Sequence, residues 1–351
     1  MRRLPIYFII DISESMIGEP IQQVEEGLSM IIQALKTDPN ALETVWISII
    51  VFAGQPKTLV PLQEIISFYP PKFPIGGGTS LSKAFGHLMY ELRKNTVTTT
   101  AERKGDWKPI VFLFTDGVPT DDTKVALAEW KLNWQRSTNL VAVSFGSETD
   151  TQLLSELTEN VIHFKNTDAT AYKKFFKWVT DSIKTSSQSV ENNSSSFELA
   201  KLDGDTLSKI DLAKRPPQSQ FVDNNFVVLA GKCQNTQRPY LMKYRKTVAP
   251  NRMGGLDFET LSYRLVGAFQ VDNSYFELSD PTQTNFKINT QELIGAPTCP
   301  CCGNQSAFAI CSCTKLHCIG DEEISTCPWC FNQGKYGYGG DSGFDINRAQ
   351  G

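Results

Sequence analysis

From residue 4 to about residue 187 the sequence alternates short, almost wholly apolar runs with longer amphipathic segments, and this alternation is the tightest constraint on its fold. The runs span 4–10, 45–52, a weaker 58–62, 110–114, 140–145 and 161–164. A strand with no polar face must be covered on both sides, which a parallel sheet clad in helices achieves. The segments between them, 19–36, 80–94, 123–136, 151–159 and 169–184, read as helices. The order β-α-β-β-α-β-α-β-α-β-α predicts a doubly wound, Rossmann-like α/β domain with a mostly parallel sheet over residues 1–187.

Single cores stop growing near 250 to 300 residues, so a chain of 351 residues must hold more than one domain. Residues 185–196 (TSSQSVENNSSS) are polar and lack apolar periodicity, and a linker is expected over 188–218. After it come β-like segments at 226–230, 238–246, 261–271 and 275–278, separated by turn-rich pieces such as 250–255. They predict a small antiparallel sheet over 219–296. A cysteine module follows at 297–333, and the Gly-rich stretch 334–351 reads as a flexible tail.

Charge and hydropathy narrow the function classes. A net charge of -4 gives no general attraction to nucleic acid, although residues 243–246 form a local basic strip. No apolar run approaches the roughly 20 residues that a spanning helix needs, so no membrane insertion is expected. The apolar stretch after Arg2 and Arg3 is short and runs into Asp11 without a small-residue cleavage site, which argues against export and for a cytoplasmic address.

The segment IYFIIDISESM places Asp11 directly after an apolar strand, with Ser13 and Ser15 at alternate positions of the following loop. Open α/β sheets bind ligands beyond the carboxyl ends of their strands. A second strand, PIVFLFTDG, ends in Asp116. Two carboxylates and two hydroxyls at one sheet edge suit a hard divalent cation. Thr79, which follows Gly76, Gly77 and Gly78 and begins a helix, is the expected remaining donor. Taken singly, each piece is an ordinary cap or turn; their combination is what points to a metal. An aspartyl-nucleophile phosphatase would want an Asp where Ser13 stands, and GGGTSLSK lacks the second Gly and adjoining Lys of a P-loop. His87 and His163 are isolated, with packing or surface roles expected.

The motifs DISESM, GGGTS and FTDG in this setting resemble the metal-ion-dependent adhesion site of the von Willebrand factor type A family. The resemblance carries over to Asp11, Ser13, Ser15, Thr79 and Asp116, with Glu14 in place of the glycine common between the two serines. It implies magnesium, or Mn2+ or Ca2+, with one coordination position kept for a partner's carboxylate, and an output of binding, not turnover.

Eight of the nine cysteines lie between Cys299 and Cys330. Such clustering without an export signal argues for metal ligation over a disulfide framework. The module opens with Cys299-Pro-Cys-Cys302 and closes with Cys327-Pro-Trp-Cys330, two C-x-x-C knuckles of the kind that grips zinc. Between them lie Cys311, Cys313, His317 and Cys318. These eight candidates would make two tetrahedral zinc sites, one of four cysteines and one of three cysteines and the histidine, with Cys301 left over. Spacing does not decide which ligands share an ion: either the terminal knuckles close one ribbon-like site around the middle ligands, or the pairs interleave as in RING-like cross-braces. Adjacent residues such as His317 and Cys318 tend to point in different directions, so either they serve different ions or one is spare. Cys233 reads most simply as a buried apolar residue.

The N-terminal run RRLPIYFIIDISESMIGEPI, the later RPYLMKY and the module from CPCCG to CPWC together resemble TerY-like proteins of bacterial tellurite-resistance and stress systems. That resemblance implies association with a Ser/Thr kinase and a PP2C-type phosphatase, and hence a regulatory scaffold, not an enzyme. The alternatives are a RING-like ligase or other zinc-dependent enzyme using the C-terminal ions, and a nucleic-acid-binding zinc ribbon.

Overall fold

The computed structural model describes residues 2–102, 104–116, 118–145, 151–164, 169–191, 200, 207–209, 225–253, 256–280, 286–337 and 343–349. The chain forms two compact units. The first comprises Met1–Ile12, Gly18–Phe73 and Thr79–Phe221; the second comprises Ser13–Ile17, Pro74–Gly78 and Val222–Gly351.

In the first unit the elements follow as β1 (Leu4–Asp11), α1 (Glu19–Lys36), α2 (Pro39–Thr44), β2 (Val45–Phe52), β3 (Pro56–Glu64), α3 (Leu81–Asn95), β4 (Ile110–Thr115), α4 (Lys124–Asn133), β5 (Asn139–Phe145), α5 (Thr151–Leu157), β6 (Val161–Phe164), α6 (Ala169–Glu191) and β7 (Leu207–Lys209). The sheet order is β3-β2-β1-β4-β5-β6-β7. Strands β2, β1, β4, β5 and β6 are parallel, and β3 and β7 pair antiparallel at the two edges. This is the doubly wound α/β fold expected from the apolar runs. The chain leaves β1 toward β2 and β3, then returns to place β4 on the other side of β1, so the order reverses between β1 and β4. Such a reversal opens a crevice at the strand ends.

Both faces of the sheet are covered, which is why β1 and β4 are buried along their whole length. Tyr7 and Ile9 of β1 pack with Leu81, Phe85 and Leu88 of α3 and Leu127 and Trp130 of α4. Alternation along the strand sends Phe8 to the opposite face. There it stacks on Phe112 at 5.6 Å, and Phe114 meets Phe175 of α6 edge-on at 5.7 Å. Each such side chain contributes about 1.5 to 3 kcal/mol on burial.

Three local features differ from the sequence expectation. Helix α2, capped by the Asp38 carboxylate accepting from the Ala41 amide at 3.0 Å, fills a stretch assigned no element. Helix α6 continues through Thr185 to Glu191, because Ser182 and Ser186 bond back to carbonyls four residues earlier and hide their hydroxyls. Strand β7 lies in the stretch expected as linker, where it pairs with β6.

The second unit contains β8 (Phe226–Lys232), β9 (Pro239–Met253), β10 (Leu256–Gln270), α7 (Ser274–Leu278), β11 (Lys287–Asn289), β12 (Leu293–Ile294), β13 (Ser306–Ile310), β14 (Leu316–Ile319), β15 (Ser325–Thr326), β16 (Gln333–Gly334) and β17 (Asp345–Asn347). Its main sheet has the order β12-β10-β9-β8-β14-β13. Pairing is not wholly antiparallel, since β14 runs parallel to β8 with Leu316 opposite Gly231 and His317 opposite Lys232. Residues 275–278 are helical, not extended, with Tyr275 and Leu278 turned into the core. The stretch expected as a mobile tail contributes β17, which pairs with β11 and buries Ile346. Lys243, from the supposed basic strip, is 4% exposed, so 243–246 is not a continuous basic surface. No helix among the described residues is long and apolar enough to cross a membrane.

Candidate metal centres

Asp11 is the last residue of β1, and Asp116 follows the last residue of the neighbouring β4, so both carboxylates stand at the strand-order reversal. Asp11 is fully buried and its Oδ2 accepts a 2.7 Å hydrogen bond from the Thr115 hydroxyl. Thr79 is 2% exposed. Its amide donates to the Thr120 hydroxyl at 3.0 Å and its carbonyl accepts from the Thr120 amide at 2.9 Å, which ties the start of α3 to the loop after β4. Asp121, in that loop, accepts from the Ser82 and Lys83 amides at 3.3 Å each and so caps α3 in place of Ser80. Burial pushes the Asp121 carboxyl above its ordinary value, against the lowering effect of those amides.

Ser13 and Ser15 are buried in the loop that continues from Asp11, with their hydroxyl oxygens 3.0 Å apart. The five residues expected as ligands offer only oxygen donors, the chemistry that a hard cation such as magnesium takes. Glu14, between the serines, is 1% exposed and its carboxylate accepts from the Tyr275 hydroxyl. Glu14 therefore turns to the second unit's interior. Of the isolated histidines, His87 hydrogen-bonds the Thr58 hydroxyl at 2.7 Å, with its pKa lowered by burial; the side chain of His163 lies outside the described residues.

The module's cysteines gather into two groups, Cys233 with Cys299, Cys302 and Cys318, and Cys311 with Cys313, Cys327 and Cys330. Within each group all four Sγ atoms lie within 4.8 Å of one another. Four sulfurs at 2.3 Å from a tetrahedral zinc ion stand about 3.8 Å apart. The observed separations are 3.8 Å for Cys302–Cys318 and Cys233–Cys318, 3.6 Å for Cys311–Cys330 and 3.8 Å for Cys313–Cys327. Both groups thus fit the ion in size and ligand softness.

Membership departs from the sequence expectation at one place: Cys233 joins the first group and His317 joins neither. Consecutive residues of a strand face opposite ways, so when β14 turns Cys318 into the first group it turns His317 away. The His317 Nδ1 sits 2.9 Å from the Cys318 carbonyl oxygen, and its ring meets Tyr336 edge-on at 4.8 Å. Cys301 lies outside both groups, with its sulfur 3.9 Å from the Pro239 carbonyl.

Cys233 arrives by two devices. Parallel pairing of β14 with β8 puts His317 opposite Lys232, so the next residues, Cys318 and Cys233, emerge side by side. The second device is a turn repeated around the module. The Cys299 amide donates to Asn304 O, the Gly303 amide donates back to Cys299 O, and Gly303 has φ 80°. Cys327 repeats this with Asn332 and Phe331 (φ 62°), and Cys233 repeats it with Arg238 and Gln237 (φ 60°). Cys233-Gln-Asn-Thr236 is therefore a zinc-knuckle turn with Thr236 where Cys302 and Cys330 stand in the other two. Amides complete the sulfur environment: Thr236 N to Cys233 at 3.3 Å, Gln234 N to Cys318 at 3.2 Å and Trp329 N to Cys327 at 3.4 Å. Such donors orient thiolates and offset their charge.

Residues 6–178 match the family model of the von Willebrand factor type A domain, and residues 223–351 match that of the TerY-C metal binding domain. No curated protein matches the chain. Among solved structures, it is similar to a von Willebrand factor type A protein from Catenulispora acidiphila at 13% identity and a TM-score of 0.40, covering 82% of this chain and 61% of that one. It is also similar to proximal thread matrix protein 1 from the mussel byssus, solved with a zinc-occupied MIDAS motif, at 17% identity and a TM-score of 0.38 over 53% of this chain. The chain spans less than half, 46%, of that mussel protein. With a von Willebrand factor type A domain followed by a TerY-C metal binding domain, the chain has the architecture of TerY-like proteins.

Proposed function

We propose that the chain is a metal-dependent adaptor, in which Asp11, Ser13, Ser15, Thr79 and Asp116 hold a magnesium ion that completes its shell with a carboxylate from a protein partner. Mn2+ or Ca2+ would suit the same oxygens. The observation that carries this proposal is the placement of Asp11 and Asp116 at the ends of adjacent parallel strands where the strand order reverses. Two zinc ions, each on four cysteines, build the C-terminal domain, which supplies a second docking surface. With every ligand position taken by sulfur, neither zinc keeps a place for water or substrate, and this favours a structural over a catalytic role. The proposed partners are a Ser/Thr kinase and a PP2C-type phosphatase of a tellurite-resistance or stress response, and the proposed address is the cytoplasm, where thiols stay reduced.

The test compares capture of the candidate kinase and phosphatase by the wild-type chain and by Asp11→Ala, in magnesium and in EDTA. Capture by the wild type in magnesium alone supports the adaptor. Equal capture in all four conditions would sink the adhesion mechanism.

A further inference from the structure

The second unit contains two short segments from the N-terminal half of the chain, and buried polar contacts tie its C-terminal residues to them. Lys243 sits in β9 and is 4% exposed. Its ammonium donates to the carbonyls of Ser15 at 2.5 Å and Ile17 at 3.2 Å, and lies 4.4 Å from the Phe226 ring centroid. A lysine removed from water must have its protons accepted, and here backbone oxygens of a loop accept them. Tyr275, on α7, is 6% exposed and donates its hydroxyl to the Glu14 carboxylate. Ser279 accepts the Gly77 amide at 2.8 Å, and the Asp280 amide donates to the Gly77 carbonyl at 3.1 Å. The fit at Gly77 is close, since a Cβ there would lie 2.9 Å from the Ser279 hydroxyl and 3.1 Å from the Glu14 carboxylate.

The held segments are Ser13–Ile17, which contains two of the five proposed magnesium ligands, and Pro74–Gly78, which ends one residue before a third, Thr79. The Ser13–Ile17 loop lacks a side-chain cap of its own and forms one short turn in which the Met16 amide reaches Ser13 O at 3.0 Å. Lys243 fixes the backbone on the far side of that turn, and the Glu14–Tyr275 bond fixes the side chain between the serines. Together they hold the backbone that sets where the two serine hydroxyls point.

We propose that Lys243 and Tyr275 are positioning residues for the magnesium site, so that residues of the zinc-built C-terminal region set the ion affinity of the N-terminal loop. This builds on the adaptor function above. Neither residue touches the ion; each acts through the loop, as outer hydrogen-bond partners of metal ligands do, and loss of such partners weakens binding roughly 10- to 100-fold.

The test uses the full-length, zinc-loaded chain and Mn2+ as the probe, with free Mn2+ measured by electron paramagnetic resonance. Wild type, Asp11→Ala, Lys243→Met and Tyr275→Phe are titrated, and zinc content and melting temperature are recorded for each. Tight Mn2+ binding by wild type that weakens about tenfold or more in Tyr275→Phe or Lys243→Met, with zinc content retained, is the expected result. Tyr275→Phe keeps the ring in the core and decides the matter if Lys243→Met fails to fold. Wild-type affinity in folded variants overturns the positioning role and leaves the adaptor reading intact. Wild type binding Mn2+ no better than Asp11→Ala overturns both.

Discussion

The sulfurs of Cys233 and Cys318 lie 3.8 Å apart although 85 residues separate them in the chain. That pair joins the first β-strand of the second unit to the cysteine module. Replacing Cys233 by Ser should therefore lower the zinc content from about two ions per chain to about one, because a soft, four-sulfur site loses a quarter of its ligands. His317→Ala should leave both ions in place. Elemental analysis after dialysis distinguishes the two; loss of an ion from His317→Ala, with none from Cys233→Ser, would restore the histidine as a ligand.

The contrast between these residues shows what kinds of information the sequence holds. The apolar runs at 4–10 and 110–114 announce buried parallel strands by themselves, and the C-x-x-C pairs announce their turns, since both signals are local. Cys233 gives no such sign. Its turn has the hydrogen bonds of a knuckle but Thr236 in the second sulfur's place, and its partner is reached through a parallel pairing across the domain. The resemblance of Cys-Gln-Asn-Thr-Gln-Arg to Cys-Pro-Trp-Cys-Phe-Asn becomes visible only with the backbone angles in hand. Lys243 misleads for the opposite reason. Within RPYLMKYRK it looks like surface charge, and only the fold shows that carbonyls from residues 15 and 17 accept its protons. Helix α6 outruns its apolar periodicity because its serines satisfy themselves against its own carbonyls.

Zinc removal should unfold the second unit. Cys299 and Cys318 belong to the same buried cluster as Val227, Leu229, Tyr240 and Met242. A structural zinc ion contributes about 10 to 16 kcal/mol on binding, comparable with the whole stability of a domain at about 5 to 15 kcal/mol. Stripping the metal with a strong chelator should expose the amides of β8 and β9 to hydrogen exchange while β1 and β4 stay protected. Unchanged protection in β8 and β9 would show that the sheet stands without its ions.

Gly27 of α1 faces the Phe176 ring of α6. A Cβ built there would lie 1.9 Å from Cδ2 of Phe176, so the ring must move to admit it. Gly to Ala in a helix gains about 1 kcal/mol in propensity, but overpacking of a filled core costs about 1 to 3 kcal/mol. Gly27→Ala should thus be destabilising by about 1 kcal/mol, seen as a lower urea midpoint with an unchanged slope. A higher midpoint would mean that Phe176 swings aside at little cost.

Tyr7, Tyr240, Tyr244 and Tyr275 all have their hydroxyl pKa raised by burial; nearby Glu14 adds to the effect at Tyr275 and Glu91 at Tyr7. In the unfolded chain these phenols ionise near pH 10. A proton held more tightly in the folded state favours folding at every pH below that value, and the benefit drains away as pH rises from about 10 toward the folded values. Alkaline titration should accordingly show the exposed tyrosines ionising first, with the phenolate absorbance of these four arriving together with loss of the circular dichroism signal. Smooth ionisation of all ten tyrosines of the chain ahead of any unfolding would mean that burial does not hold these protons.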